Sequence, residues 1–184
     1  MTTTWTSMIV DQLDFYLAAH LLPRLEGLTD EEYFWEPVPD CWSVRPDGSG
    51  RWTFEEASPD GKEHVTTIAW RIVHVGVSNF GTRANAYFGP LAGDEVDMFD
   101  PRYVDPVPGT AAEAVAQLSD AYTRWRDGVA SLDDEQLAAP LGPKGGPFAD
   151  DPLGALVLHV SRETMHHGGE VGVLRDLYRE RFSG

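Results

Sequence analysis

The chain has 184 residues, of which 42% are hydrophobic and 24% charged, a globular composition at the length of about one domain. We therefore expect one domain over residues 1–184. The 14 basic and 30 acidic residues give a formal net charge of -16, so the surface should repel polyphosphates, which disfavours nucleic-acid binding. With Cys41 as the single cysteine, the sequence excludes an internal disulfide and a cysteine-based zinc site.

The amino-terminal segment has neither a basic flank nor an uninterrupted apolar stretch. No window of the sequence approaches the roughly 18 apolar residues that a membrane span needs. We therefore expect a cytoplasmic protein that does not bind membranes.

Apolar residues recur at helical spacing in four segments of the chain, which predict long helices over residues 7–25, 68–89, 111–132 and 151–182. The residues able to cap or open these helices are, in order, Ser7, Thr66 or Thr67, Thr110, and Asp151 with Pro152. The inward face predicted for the third helix consists of Val115, Leu118, Tyr122, Trp125 and Val129.

The connections between these helices are long. Thr29, with Glu32 three residues later, predicts a capping box at the start of a short helical turn. Residues 39–63 and 91–109 are expected to be irregular. They are candidate specificity elements, because such loops can vary independently of the helical bundle. Since no segment has a convincing strand pattern, the sequence predicts an all-α protein, a four-helix bundle with long irregular connections.

Five candidate metal ligands lie within twelve residues of the fourth helix: His159, Glu163, His166, His167 and Glu170. At 3.6 residues per turn their side chains fall within one arc of roughly 100 degrees. Imidazole and carboxylate groups four residues apart can hold one ion, which suits Glu163 with His167 and equally His159 with Glu163.

A further ligand must come from another helix, because two side chains do not make a site. His74 is the best candidate, since a neutral imidazole among the Val and Ile residues of the second helix needs a partner. The alternative is that His74 is a hydrogen-bonded core residue and that the histidines of the fourth helix form a partly solvated face.

The WRxxH string of the second helix and the ExxHHxGE string of the fourth resemble those of the DinB/YfiT-like superfamily of metal-binding bundles. In that family the second helix gives one histidine and the fourth a pair four residues apart, which is Glu-x-x-x-His in the mycothiol-dependent maleylpyruvate isomerases. The resemblance thus implies His74, Glu163 and His167 as metal ligands. Glu163 departs from the commoner three-histidine pattern and lowers the positive charge of the site.

Three protein ligands leave an open position, which is typical of a catalytic ion. We expect a divalent metal, zinc first and nickel, iron or manganese as alternatives. His166, beside a ligand, is the candidate general base, and Glu170, one turn on, the residue that holds it. The resemblance implies a low-molecular-weight-thiol S-transferase or isomerase of the mycothiol type, whose partners are a thiol and a small-molecule electrophile.

Aromatic and cationic side chains could line a substrate pocket beside this site. The aromatic candidates are Trp35, Trp42, Trp70 and Tyr87, with Arg71 and Arg83 available for a carboxylate or sugar hydroxyls. Simple packing is the alternative for each of them.

Two other functions remain open at this point. A metal-dependent hydrolase would use the same site with water as nucleophile, and a non-catalytic bundle would use the groove to bind a ligand or a second chain. Bundles of this size often pair through exposed helix faces, so we also expect a homodimer.

Overall fold

The computed structural model describes residues 4–55, 64–93 and 96–182. Over these residues the chain is all-α with four long helices, as the sequence predicts, and it also contains one small two-stranded sheet. The first long helix consists of Trp5–Tyr16, a π-helical turn Leu17–Leu21, and Leu22–Leu25. The second consists of Ile68–Val73, a π-helical segment His74–Gly81, and Thr82–Tyr87; the third is Ala111–Ala130 and the fourth Leu153–Phe182.

Shorter helical elements occupy the connections. Asp30–Tyr33 and Asp134–Ala138 are short α-helices, and Pro101–Tyr103 and Gly142–Phe148 are 3-10 turns. Within the described residues, no helix is long and apolar enough to cross a membrane.

Side-chain caps start the helices largely where the sequence predicts. Thr67 accepts a hydrogen bond from the Trp70 amide, and Thr110 accepts one from the Glu113 amide. The prediction of Ser7 as the first cap is wrong, because Thr4 is the cap and the helix begins at Trp5. Ser7 instead completes a capping box with Thr4. The Ser7 hydroxyl accepts a hydrogen bond from the Thr4 amide, and the Thr4 hydroxyl accepts one from the Ser7 amide.

The second long helix runs through the hydrophobic core, and most of its side chains from Ile68 to Phe80 are buried. It lies close against the third long helix, since a Cβ added at Gly76 would come within 3.2 Å of the Leu118 Cα. Of the inward face predicted for the third helix, Leu118, Trp125 and Val129 are buried, and Val115 and Tyr122 are partly buried against the core.

The expectation of irregular chain over residues 39–63 is wrong for part of that segment. Val44–Pro46 and Trp52–Phe54 form an antiparallel hairpin, and residues 56–63 lie outside the described residues. Asp47 closes the turn through its carboxylate, which accepts from the Ser49 amide at 2.8 Å. Strands of three residues are too short to show an alternating pattern, so periodicity could not detect them.

A buried ion pair joins the short helix after the first long helix to the end of the fourth. Arg175 and Glu32 form a two-pronged contact at 2.7 and 2.9 Å, with side chains only 2% and 5% exposed. Arg175 also donates to the carbonyls of Arg24 and Glu26. The predicted capping box is therefore wrong in its second half: Thr29 accepts from the Glu32 amide, but the Glu32 carboxylate pairs with Arg175.

Replacing Glu32→Ala should lower the free energy of unfolding by about 3–5 kcal/mol, because it leaves a buried guanidinium without its counter-charge. Urea unfolding followed by circular dichroism measures this change. Glu180→Ala, at an exposed position on the fourth long helix, is the control and should change stability by about 0.5 kcal/mol or less. Equal losses in the two variants would contradict a structural role for the pair.

Candidate metal centre

Three predicted ligands from two helices converge on one point. One ligand atom each from His74, Glu163 and His167 lies within 4.8 Å of the others. The Oε2 atom of Glu163 is 3.8 Å from Nε2 of His74 and 3.5 Å from Nε2 of His167. Two imidazole nitrogens and one carboxylate oxygen therefore face a common centre.

The second long helix presents His74 at the junction where its α-helical start gives way to the π-helical segment His74–Gly81. The side-chain amide of Asn79 donates to the His74 carbonyl at 3.1 Å. The Trp70 ring stacks on His74, with centroids 4.7 Å apart and planes 8° from parallel, and its indole N–H donates to the Glu55 carbonyl. These contacts fix the imidazole of His74 from its own helix.

The fourth long helix presents Glu163 and His167 one turn apart. Its ligand-bearing turn lies against the first long helix, because the Tyr16 hydroxyl donates to the Met165 carbonyl at 3.1 Å. A Cβ at Gly168 would overlap the same hydroxyl, so a residue without a side chain permits this close approach.

Behind His167 lies a charged pair that orients the ring. The Nδ1 atom of His167 lies 2.8 Å from Oε2 of Glu170, and Glu170 is ion-paired to Arg71. A carboxylate at Nδ1 assigns the ring proton to that nitrogen and leaves the lone pair of Nε2 directed at the centre. Arg71 and Glu170 thus form the outer layer that histidine ligands of metals commonly have.

A model of the DinB superfamily matches residues 17–171, most of the chain and all three converging residues. The chain belongs to the DinB superfamily. No curated protein and no solved structure matches the chain in the corresponding searches. The DinB superfamily is metal-binding and includes metal-dependent enzymes, so membership and geometry point to the same cluster.

Electrostatics keep both imidazoles of this DinB protein neutral near pH 7. Burial lowers the pKa of His74 below its ordinary value, and the carboxylate of Glu163 opposes this only in part. Burial, together with the charges of His74, His166 and Arg71, lowers the pKa of His167 to about 4. Neutral imidazoles keep the lone pairs that a metal ion needs.

The two distances from the Glu163 oxygen are compatible with a zinc ion held by these three residues. Bonds of about 2.0–2.1 Å to zinc place neighbouring ligand atoms roughly 3.3 Å apart, close to the two distances at Glu163. The same donor set of two nitrogens and one oxygen also suits nickel, iron or manganese. The residues of this DinB chain therefore fit a divalent transition metal.

The alternative pair, His159 with Glu163, has a different geometry. His159 Nδ1 is 3.7 Å from Oε1 of Glu163, the oxygen turned away from His74 and His167. Arg162 contacts both His159 and this oxygen, at 2.7 and 3.6 Å. Glu163 thus separates the converging ligands on one side from His159 and Arg162 on the other.

His166 lies next to His167, with ring centroids 4.8 Å apart, and 62% of its side chain is exposed. Its Nε2 is 3.5 Å from Oε1 of Glu170, whereas the other oxygen of Glu170 is closer to His167. A second group that could hold a metal consists of His166, His167 and Glu170. Glu170 therefore faces both histidines, and its shorter contact is to His167.

The pocket residues suggested by the sequence divide into two groups. Trp70 contacts His74 and His167, and Trp42 lies behind it at 6.1 Å between ring centroids. Trp35 instead packs on Tyr178. Since Tyr178 is eleven residues beyond His167, it lies about 16 Å further along the helix axis.

Arg71 has a partner that the sequence did not predict. Its side chain is only 11% exposed and pairs with Glu170. Sequence reasoning missed the Arg71–Glu170 pair because its members lie on different helices. One signal was present: Arg71 precedes His74 by three residues, and Glu170 follows His167 by three.

Replacing Glu170→Gln should weaken zinc binding by about 10–100-fold, because it removes the carboxylate that orients His167. Competition against a chromophoric chelator measures the affinity. Glu180→Gln, at an exposed position on the same helix, is the matched control and should bind zinc like the wild type. If Glu170→Gln also bound zinc with wild-type affinity, the positioning role of Glu170 would be rejected.

Proposed function

We propose that this chain is a metal-dependent enzyme that joins a low-molecular-weight thiol of the mycothiol type to an electrophilic small molecule, by transfer or isomerisation. The observation that carries the proposal is the convergence of His74, Glu163 and His167 on one centre, with a charged pair orienting His167. Resemblance to the thiol-using members of the superfamily supports the choice of thiol as nucleophile.

His74, Glu163 and His167 would hold the ion, most simply zinc. With three protein ligands, such an ion keeps an open position at which it lowers the pKa of a thiol or water and so supplies a nucleophile near neutral pH. One carboxylate among the ligands leaves a net charge of about +1 on a zinc centre, which favours an anionic thiolate.

His166 is the residue that we propose to take the proton of the thiol. Its exposed ring can exchange that proton with solvent, and Glu170 faces its Nε2, which leaves Nδ1 as the accepting atom. Glu170 then positions both His166 and His167. In a transfer reaction the thiol sulfur forms a bond to the electrophilic carbon, the leaving group departs with its electron pair, and the thiol proton passes to His166.

His167→Ala should lose bound metal and thiol transfer together, because the ligand pair on the fourth helix is broken. The metal content of protein purified without chelator is measured by mass spectrometry, and transfer by the fluorescence of monochlorobimane with added mycothiol, bacillithiol or cysteine. His20→Ala, at an exposed position on the first long helix, is the control and should keep both properties.

Three results would contradict parts of this proposal. Full metal occupancy in His167→Ala would reject the ligand set. Hydrolysis of an ester or amide without added thiol, together with no transfer of thiol to monochlorobimane, would favour the hydrolase. Wild-type protein that neither contains nor binds zinc or nickel would favour a non-catalytic bundle.

A further inference from the structure

A cavity of about 510 Å³ lies next to the candidate metal centre, on the His159 side of Glu163. Its apolar lining includes Phe99, Phe148 and Leu156, and its polar lining consists of Arg83, His159, Arg162 and Asp151. This volume is within the range of small-molecule sites, about 300–1,000 Å³.

The cationic side chains lie at the end of the cavity nearest the centre. Arg162 Nε is 3.6 Å from Oε1 of Glu163, the ligand residue whose other oxygen faces the histidines. The Arg83 guanidinium lies 5.0 Å from the centroid of the Phe99 ring. Arg83 and Arg162 line the cavity together with His159, and Nη2 of Arg162 is 2.7 Å from Nδ1 of His159.

Among the described residues that line the cavity, Asp151 is the acidic one, and it lies away from the centre. It stands two residues before Leu153, the first residue of the fourth long helix, and the six residues from Leu153 to His159 span about 9 Å along the helix axis. The cavity therefore has an acidic end away from the centre and two arginines beside it. In a chain of net charge -16, two arginines lining one small cavity favour an anion at that end.

Two exposed aromatic rings flank the apolar part. Phe99 and Phe148 come from different connections, are 48% and 50% exposed, and have ring centroids 6.5 Å apart. Exposed rings from two loops at one cavity give an apolar surface to a ligand rather than to the core.

The loops that carry these rings are tied together. The Met98 amide donates to the Lys144 carbonyl at 2.8 Å, and the Lys144 ammonium donates to the carbonyls of Ala86 and Ala92. The cavity is therefore formed by the fold before any ligand arrives, which lowers the entropic cost of binding.

We propose that this cavity binds the electrophilic substrate, and that the substrate is a small carboxylate with an aromatic or similarly apolar body. Its carboxylate lies between Arg83 and Arg162, its apolar body between Phe99 and Phe148, and its reactive carbon toward Glu163 and the centre. The inference rests on the proposed function for the role of the ligand, but the cavity, its charges and its binding preference stand without it.

The experiment is a calorimetric titration with 2-naphthoate and with its neutral isostere naphthalene-2-carboxamide, on the zinc-loaded full chain and again after chelation. We expect the carboxylate to bind more tightly than the amide under both conditions. Arg83→Gln should weaken carboxylate binding about tenfold, the loss of one charge-assisted hydrogen bond, and leave amide binding unchanged.

Arg162→Gln is a second variant and should also weaken carboxylate binding. It should not affect folding, because the Arg162 side chain is 69% exposed. Phe148→Ala should weaken both probes equally, because it removes apolar contact and no charge. Arg179→Gln, at an exposed position on the same helix as Arg162, is the control and should leave both affinities unchanged.

Equal affinity for the two probes in the wild type would overturn the proposal. The proposal would also be overturned if the Arg83→Gln and Arg162→Gln proteins kept the wild-type preference for the carboxylate over the amide. Carboxylate binding that disappears on chelation would also overturn it, since the metal alone would then recognise the anion. None of these results removes the ligand set, whereas wild-type protein that neither contains nor binds zinc or nickel but still binds naphthoate would reject the proposed function and leave the cavity assignment standing.

Discussion

The candidate centre depends on the contact between the second and fourth long helices, which brings a histidine from one helix within reach of a carboxylate and a histidine from the other. The two helices pass each other in opposite directions, since Arg71 meets Glu170 on one side of the ligands and Arg83 lines the same cavity as His159 on the other. Along the contact between the two helices, the partly buried pair Arg71–Glu170 comes first, then the three ligands, and then the cavity with its cationic end.

This contact is supported from both ends of the fourth helix. Near the ligands, Gly168 lets the first long helix approach closely enough for Tyr16 to bond the backbone. Further along, Arg175 is buried against Glu32 and two carbonyls of the preceding chain. A buried charge left without its partner is costly, so this pair fixes the position of the helix that carries Glu163 and His167.

The long helices could be predicted from sequence because their periodicity extends over many turns, and Glu163 with His167 because four residues are one helical turn. His74 could be proposed because a neutral imidazole among apolar side chains needs a partner, and the family resemblance supported this choice, but spacing alone does not show that the two helices meet. Contacts between helices, such as Arg71 with Glu170, depend on the direction and register of packing. The short elements could not be predicted for a related reason. Strands of three residues show no periodicity, and the pairing of the Glu32 carboxylate with Arg175 depends on a contact between distant parts of the chain.

The most direct test of the account is a zinc titration of three metal-free proteins: wild type, His74→Ala and His159→Ala. The account predicts about one zinc ion per chain for the wild type and for His159→Ala, and loss of this binding in His74→Ala. Zinc binding retained by His74→Ala, or lost in His159→Ala with His74 intact, would contradict a centre shared between the second and fourth helices through Glu163 and His167.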